Sequence, residues 1–332
     1  MGDLVSVIFP VGPGVLKAGL ALQDMLNQTC KDLEVVAVLN GCGEEVRREF
    51  LGKSDPRLRV FDLGDEPQLL EALSLAVAEC RGAWLARMDA DDRCHRSRIE
   101  KQLLYLKKGS CEVVSCGIEL KHGLGGGMQR YVDWVNDLTN PEAVSRERFV
   151  ESPVVQPTVM MSREVFSNAG GYRENGFAED YDLWLRLLER GERFGKVCEN
   201  LYQWHDRADR LTRSDPRFEH KKMLGLKADA LSRLPEVRAR GVALMGAGPI
   251  GKVLGRELIA GGITVHGYFE VNRKRIGSTC QGTPIVGQQE FGLRWRDAIL
   301  LSAVGVAGGR EAVRALASGE GYREGTDFWC CC

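Results

Sequence analysis

The sequence predicts an α/β protein, in which a mostly parallel sheet lies between helices in a Rossmann-like layout, joined to a second, smaller Rossmann-like α/β domain. Two observations predict it. Short β-rich runs alternate with segments of helical periodicity from Leu4 to Leu106, and the same alternation restarts at Gly241 after a charged stretch. With 332 residues, 44% hydrophobic and 27% charged, the chain is long enough to build two cores. The expected organisation is a first domain over residues 1–215, a helical linker over 216–240 and a small domain over 241–332.

Leu4 to Phe9 is a β-rich run that Pro10 closes, and Leu16, Leu20 and Leu26 carry the helical pattern after it. Leu33 to Leu39 is a second strand, stopped by Asn40-Gly41-Cys42-Gly43, whose glycines let backbone approach a ligand closely. A helix over Glu44 to Leu51, a strand over Leu58 to Leu63 and a helix over Pro67 to Cys80, with Pro67 near its first turn, come next. Trp84 to Met88 is the fourth strand. Ligands of such sheets gather outside the carboxyl ends of the strands, which brings Pro10, Val11, Asn40 and the acids after Met88 to one crevice.

Those acids are Asp89, Asp91 and Asp92, in Met88-Asp89-Ala90-Asp91-Asp92. Carboxylates this close repel one another, and a hard divalent cation bridging them to phosphate oxygens relieves the repulsion. A turn followed by helix capping uses the same residue type, so the segment alone leaves both readings open.

Ile99, Leu103 and Leu106 then recur at helical spacing, and Cys111 to Leu120 is a strand. Gly123-Leu124-Gly125-Gly126-Gly127 is a flexible loop, and Tyr131 to Phe149 is a polar, partly helical excursion carrying Trp134. Gln156 to Met161 reads as a strand, followed by a short helix to Ala169. After the turn Gly170-Gly171-Tyr172, Glu179-Asp180-Tyr181-Asp182 opens a helix whose apolar positions include Trp184, Leu187 and Leu188. Acids at a helix N-terminus gain a few tenths to about one kcal/mol from the dipole, and the same dipole keeps a carboxylate ionised as a base. Phe194 to Cys198 reads as an edge strand. Leu201 to Arg207 leads into a basic stretch, Arg207, Arg210 and Arg213, which fits an active-site flap or a solvated face.

Phe218 to Leu234 is a charged helix, and at Gly241 the strand Val242 to Met245 is followed by Gly246-Ala247-Gly248-Pro249-Ile250-Gly251. Gly246, Gly248 and Gly251 match Gly-x-Gly-x-x-Gly before a helix, and Glu270 ends the next strand where ribose hydroxyls are held in dinucleotide sites. Only about ninety residues remain for this domain, short of a full two-halved dinucleotide fold. The glycines therefore fit either a second ligand site, with phosphate at the helix N-terminus, or a tight turn.

Three motifs in order, Val5-Ser6-Val7-Ile8-Phe9-Pro10-Val11, Met88-Asp89-Ala90-Asp91-Asp92 and Glu179-Asp180-Tyr181-Asp182-Leu183-Trp184, resemble family 2 glycosyltransferases, over roughly Leu4 to Asp215. Arg130 to Asn136, Gly246 to Gly251 and Glu324 to Phe328 further resemble the UDP-GlcNAc:β-Gal β-1,3-N-acetylglucosaminyltransferase-like group. The resemblance implies a GT-A-like first domain and inverting transfer of a sugar, GlcNAc among the candidates, from a nucleotide-diphosphate donor to a glycan or other hydroxyl acceptor. It implies Mn²⁺ or Mg²⁺ as cofactor, held by Asp91 with Asp89, and Asp180 as the catalytic base. Pro10, Val11, Asn40 and Asp89 would line the donor, with Arg207 or Arg210 on its diphosphate, and His205 stands where related enzymes place a further metal ligand. The family pattern has an Asp near Asn40 and an aromatic residue and Asn after the first strand, where this chain has Gly12-Pro13.

Other features narrow the classes. A formal net charge of -1 gives no basic field for nucleic acid. No run approaches the roughly twenty apolar residues of a membrane span, and the start lacks a basic region before an apolar core, so the expected location is cytoplasmic. Eleven cysteines without a secretory signal point to reduced thiols, and Cys330-Cys331-Cys332 to a frayed, oxidisable terminus. Two competing classes are a non-catalytic sugar-nucleotide-binding protein and a dinucleotide-dependent oxidoreductase, the latter lacking a catalytic His or Tyr-Lys pair in its unit.

Overall fold

In the computed structural model, which describes residues 2–66, 68–123 and 125–332, β1 (Val5–Val11) is buried at every position. The first-turn role expected of Pro67, and Leu124 of the glycine loop, lie outside the described residues. β1 pairs in parallel with β2 (Leu33–Leu39) and β4 (Trp84–Arg87). Strands covered on both faces read as continuous apolar runs, and their polar members need partners. Ser6 accordingly donates to Glu34 at 2.5 Å, and Glu34 accepts the Arg81 amide at 2.6 Å.

Pro10 lies inside β1 rather than ending it. β4 pairs only as far as Ile8, so the side of β1 that faces it is open beyond that point, and the missing proline N–H leaves no ladder bond unmade.

The chain continues with α1 (Ala18–Leu26), α2 (Glu44–Leu51), β3 (Leu58–Asp62), α3 (Leu69–Glu79), β5 (Arg93–Cys94), α4 (Arg98–Lys107), β6 (Val113–Lys121), α5 (Gly126–Asp137) and α6 (Pro141–Glu147). After these come β7 (Met160–Ser162), α7 (Arg163–Asn168), α8 (Glu179–Glu189), β8 (Phe194–His205) and α9 (Leu211–Ser214). α1 shows why helices cover this sheet: Ala18, Ala21, Leu22 and Met25 form one buried stripe. Among the described residues the sheet runs β3-β2-β1-β4-β7-β6-β8-β5, with β7 antiparallel to β4 and β6, and β5 antiparallel to β8. The connections reverse direction between β1 and β4, the switch point at which open α/β sheets bind ligands.

Two strand expectations change. Gln156–Thr158 is a 3-10 turn ahead of the short β7, because Pro157 has no N–H for a ladder and suits a first helical turn. The edge strand expected over Phe194 to Cys198 is the interior strand β8, which runs on to His205 between β6 and β5. Its register shifts around Gly117, where an added Cβ would meet the Glu199 carbonyl at 2.7 Å. The polar Glu199-Asn200 pair is thus a bulge rather than a strand end.

Contact clustering separates one unit of Met1–Val144, Val154–Asn175 and Glu179–Arg213 from another of Ser145–Pro153, Gly176–Ala178 and Ser214–Cys332. The second unit contains α10 (His220–Arg233), α11 (Pro235–Arg240), β9 (Val242–Met245), α12 (Pro249–Ala260), β10 (Val265–Glu270), β11 (Thr279–Cys280), β12 (Thr283–Gly287), β13 (Ile299–Ser302), α13 (Gly309–Gly319) and β14 (Phe328–Cys330). Its sheet runs β11-β12-β10-β9-β13-β14 among the described residues, so the smaller α/β fold expected after Gly241 is present. The C-terminus is not frayed. β14 pairs with β13, Cys330 and Cys331 are fully buried, and the Lys227 ammonium donates to the Cys331 and Val150 carbonyls at 3.2 and 2.7 Å. Among the described residues no helix is long and apolar enough to cross a membrane.

Candidate active site

β1 and β4 hold together until the Met88 amide donates to the Ile8 carbonyl at 3.2 Å, and the acids begin with the next residue. Asp89, Asp91 and Asp92 each present an oxygen within 4.8 Å of the others. Arg87, buried at the end of β4, pairs with Asp89 at 2.7 Å. It was not among the residues expected at the site, and its signal is a lone cation in an otherwise apolar strand.

Burial, reinforced by the Asp92 and Asp89 carboxylates, pushes the Asp91 carboxyl up to about 6. Clustered hard oxygens whose mutual repulsion raises a carboxyl in this way suit Mg²⁺ or Mn²⁺. The three acids differ in what else they do. The Tyr202 hydroxyl and the His205 amide each donate to Asp92 at 2.7 Å, while the Asp91 carboxylate meets Arg207 Nη1 at 3.4 Å. Asp92 does not cap the following helix, which starts six residues on at Arg98; it is buried and braces β8.

The basic stretch begins where β8 ends. Arg207 forms a two-bond pair with Asp209 at 2.9 and 2.6 Å, and Gly14 lies against both, with 3.0 Å from an added Cβ to either side chain. Arg210 stacks over Trp204 at 4.5 Å and donates to the His205 carbonyl at 2.7 Å. Trp204 is buried in the core. His205 keeps its Nδ1 3.7 Å from Asp92 Oδ1, without a hydrogen-bond partner, and stands outside the group of oxygens that lie within 4.8 Å of one another.

α8 carries acids with separate duties. Asp182 and Arg186 form a buried pair at 2.7 Å, and Arg186 also donates to the carbonyls of Ala169 and, at 2.7 Å, Gly171, which locks α8 to the turn before it. Glu179 and Asp182 are buried, whereas Asp180 is half-exposed, with the Tyr181 amide on its Oδ1 at 2.7 Å. Burial is the main cause that raises the Tyr172 hydroxyl far above its ordinary value, and that hydroxyl also feels Arg87, Glu179 and Asp180. One phenol therefore lies within electrostatic reach of both Asp180 and the arginine that holds Asp89.

Pro10 and Val11 close β1 beside Asn40, whose amide donates to the Val11 carbonyl at 2.9 Å and whose side-chain oxygen accepts the Gln68 amide at 2.7 Å. In the second unit, Gly246 takes φ 103° and an added Cβ at Gly251 would lie 1.9 Å from the Gly246 carbonyl, so both glycines serve a tight strand-to-helix turn. The Glu270 carboxylate accepts from the amides of Ala247, Val271 and Asn272 and from Arg275 at 2.9 to 3.2 Å. Burial works to raise that carboxyl, and these donors outweigh it and hold it below the usual range. Gly248 N-caps α12 with no side-chain cap bond.

The model of the family described as glycosyl transferase family 2 matches residues 19–170, a span that holds Asp89, Asp91 and Asp92. The O-antigen biosynthesis glycosyltransferase WbnJ of Escherichia coli is 31% identical over 191 residues, 56% of this chain and 72% of WbnJ. The amylovoran biosynthesis glycosyltransferase AmsE of Erwinia amylovora is 31% identical over 172 residues, 51% of this chain and 63% of AmsE. Among solved structures, S. aureus TarS 1–349 in complex with UDP-GlcNAc aligns with a TM-score of 0.56 at 17% identity, covering 77% of this chain and 71% of that one, which is a likeness of fold. The chain belongs to glycosyl transferase family 2 and is a glycosyltransferase.

Proposed function

We propose that the chain is an inverting, metal-dependent enzyme that moves a sugar from a UDP-linked donor to a hydroxyl of a glycan or similar acceptor. The observation that carries this reading is the cluster of Asp89, Asp91 and Asp92 at the switch point of the sheet, with Asp180 on the helix that Tyr172 relates to Arg87. Asp91 and Asp89 would hold Mg²⁺ or Mn²⁺, which when bound supplies Lewis-acid stabilisation of the leaving diphosphate.

The chain's own residues do the rest. Asp180 takes the proton of the acceptor hydroxyl as that oxygen bonds to the anomeric carbon; the bond from that carbon to the diphosphate oxygen breaks, and the diphosphate leaves with the electron pair. A single displacement inverts the centre. Arg207, already turned toward Asp91, places a guanidinium where diphosphate charge develops, and Arg210 holds the end of β8 in place. Pro10, Val11 and Asn40 form the wall beside the base. His205, with its Nδ1 free of a hydrogen bond, is available to the metal or the donor from the Asp92 side.

GlcNAc as the sugar is supported by the resemblance to the β-1,3-N-acetylglucosaminyltransferase-like group and by the UDP-GlcNAc carried by the TarS neighbour. The second unit is proposed as a structural companion, because the donors near Gly246 are taken up by Glu270. Donor consumption across a panel of UDP- and GDP-sugars with Mn²⁺ tests the reading, and UDP-GlcNAc is the expected substrate. Turnover of a GDP-linked sugar with inertness toward every UDP-linked one would contradict the donor assignment.

A further inference from the structure

Among the buried donors of the first unit that have no acceptor in the described residues, three belong together: Arg87 Nε, Gln156 Nε2 and Trp184 Nε1. Their residues are 5%, 9% and 1% exposed. Stranding one such group costs free energy comparable with a lost hydrogen bond, so three in one place call for an occupant. All three residues line one small cavity, together with Tyr172 and apolar side chains that include Ile8 and Met161.

The chemistry of the lining selects the occupant. A guanidinium and an indole N–H only donate, the Gln156 amide nitrogen has no acceptor, and the Tyr172 hydroxyl lies beside the Gln156 side chain. A water molecule would bring two hydrogens for which the lining offers only the Tyr172 and Gln156 oxygens, and it could accept from no more than two of the three donors. A monatomic anion accepts from every direction, and Arg87, whose Nη2 is held by Asp89, keeps its Nε–H for it. We infer that this cavity binds a single halide ion, chloride under ordinary conditions.

The ion joins two parts of the site. Arg87 also holds Asp89, and Trp184 lies one turn beyond Asp180 on α8, so an anion bonded to both ties the end of β4 to the helix that carries Asp180. Glu179 and Asp180, close to the Tyr172 hydroxyl, oppose the anion, and Arg87 favours it; that balance makes the binding weak and reversible.

Crystals of the full chain soaked in bromide test it directly. The expected result is an anomalous peak within hydrogen-bonding distance of Arg87 Nε, Gln156 Nε2 and Trp184 Nε1. A water-strength peak without anomalous signal, or an empty cavity, overturns the inference. In solution, chloride titrated against gluconate at constant ionic strength should raise the melting temperature of the parent, and Trp184→Phe or Gln156→Met should weaken halide binding about tenfold. Gln156→Met carries this arm if Trp184→Phe does not fold. An equal chloride response in parent and variants, or a bromide peak unchanged in the variants, marks an adventitious ion only and overturns it as well.

Discussion

The Tyr202 hydroxyl donates to Asp92 Oδ2 at 2.7 Å, and both side chains are buried. With the His205 amide on its other oxygen, Asp92 is a brace between the acidic segment and β8, and Asp91 is the acid proposed to face the ligand. Tyr202→Phe should therefore destabilise the chain by about 1–3 kcal/mol, the cost of a buried carboxylate oxygen left without its donor. Urea denaturation measures this, and unchanged stability would contradict the bracing role.

Asp180→Asn should lower kcat by about a hundredfold or more, the usual weight of a positioned general base, while the donor Kd stays within about twofold. Single-turnover transfer with separately measured donor binding reads both. Full activity in this variant removes Asp180 from the chemistry.

Asp182, two residues away, should behave in the opposite way. Its buried pair with Arg186 locks α8 to the turn at Ala169–Gly171, and breaking one partner of such a pair costs about 3–5 kcal/mol. Asp182→Asn is thus expected to lose stability first and activity only through that loss. A variant as stable as the parent but inactive would move Asp182 into the catalytic group.

Lys196 sets a pH dependence. Burial pushes its ammonium down to about 8, although it donates to the Val135 carbonyl. Between about 8 and the ordinary lysine value of 10.5 the unfolded chain holds a proton that the folded chain has released, so this group's penalty is full below that window and fades as pH rises through it. Lys196→Met should gain on the parent by at most roughly 3 kcal/mol near neutral pH, and the difference should shrink toward about pH 10. A difference independent of pH would show that the lysine is not desolvated as described.

The first four strands, the acidic segment and the acids of α8 were legible in the sequence because each rests on a local pattern: an apolar run, then carboxylates, then helical spacing. What was not legible depends on partners distant in the chain. Tyr202 lies on β8, more than a hundred residues after Asp92, and nothing near Asp92 announces it. β8 itself was cut short because Glu199-Asn200 looks like a strand end, whereas Gly117 on β6 makes room for it as a bulge. Arg87 sits in an otherwise apolar strand, and no local pattern announces its pairing with Asp89. The glycine motif at Gly246 matched a dinucleotide pattern by spacing, yet the donors around it turn inward to Glu270, which spacing cannot reveal.

On the proposed mechanism Asp91 and its neighbours hold a cation that the UDP-linked donor needs, and a thermal-shift titration of UDP-GlcNAc with and without Mn²⁺ on the parent and Asp91→Asn measures that dependence. The parent should be stabilised strongly only when both are present, at about 2.7 kcal/mol for donor at a hundred times its Kd, and Asp91→Asn should lose most of that gain. An equal shift in the variant, or a parent shift indifferent to Mn²⁺, would contradict the claim.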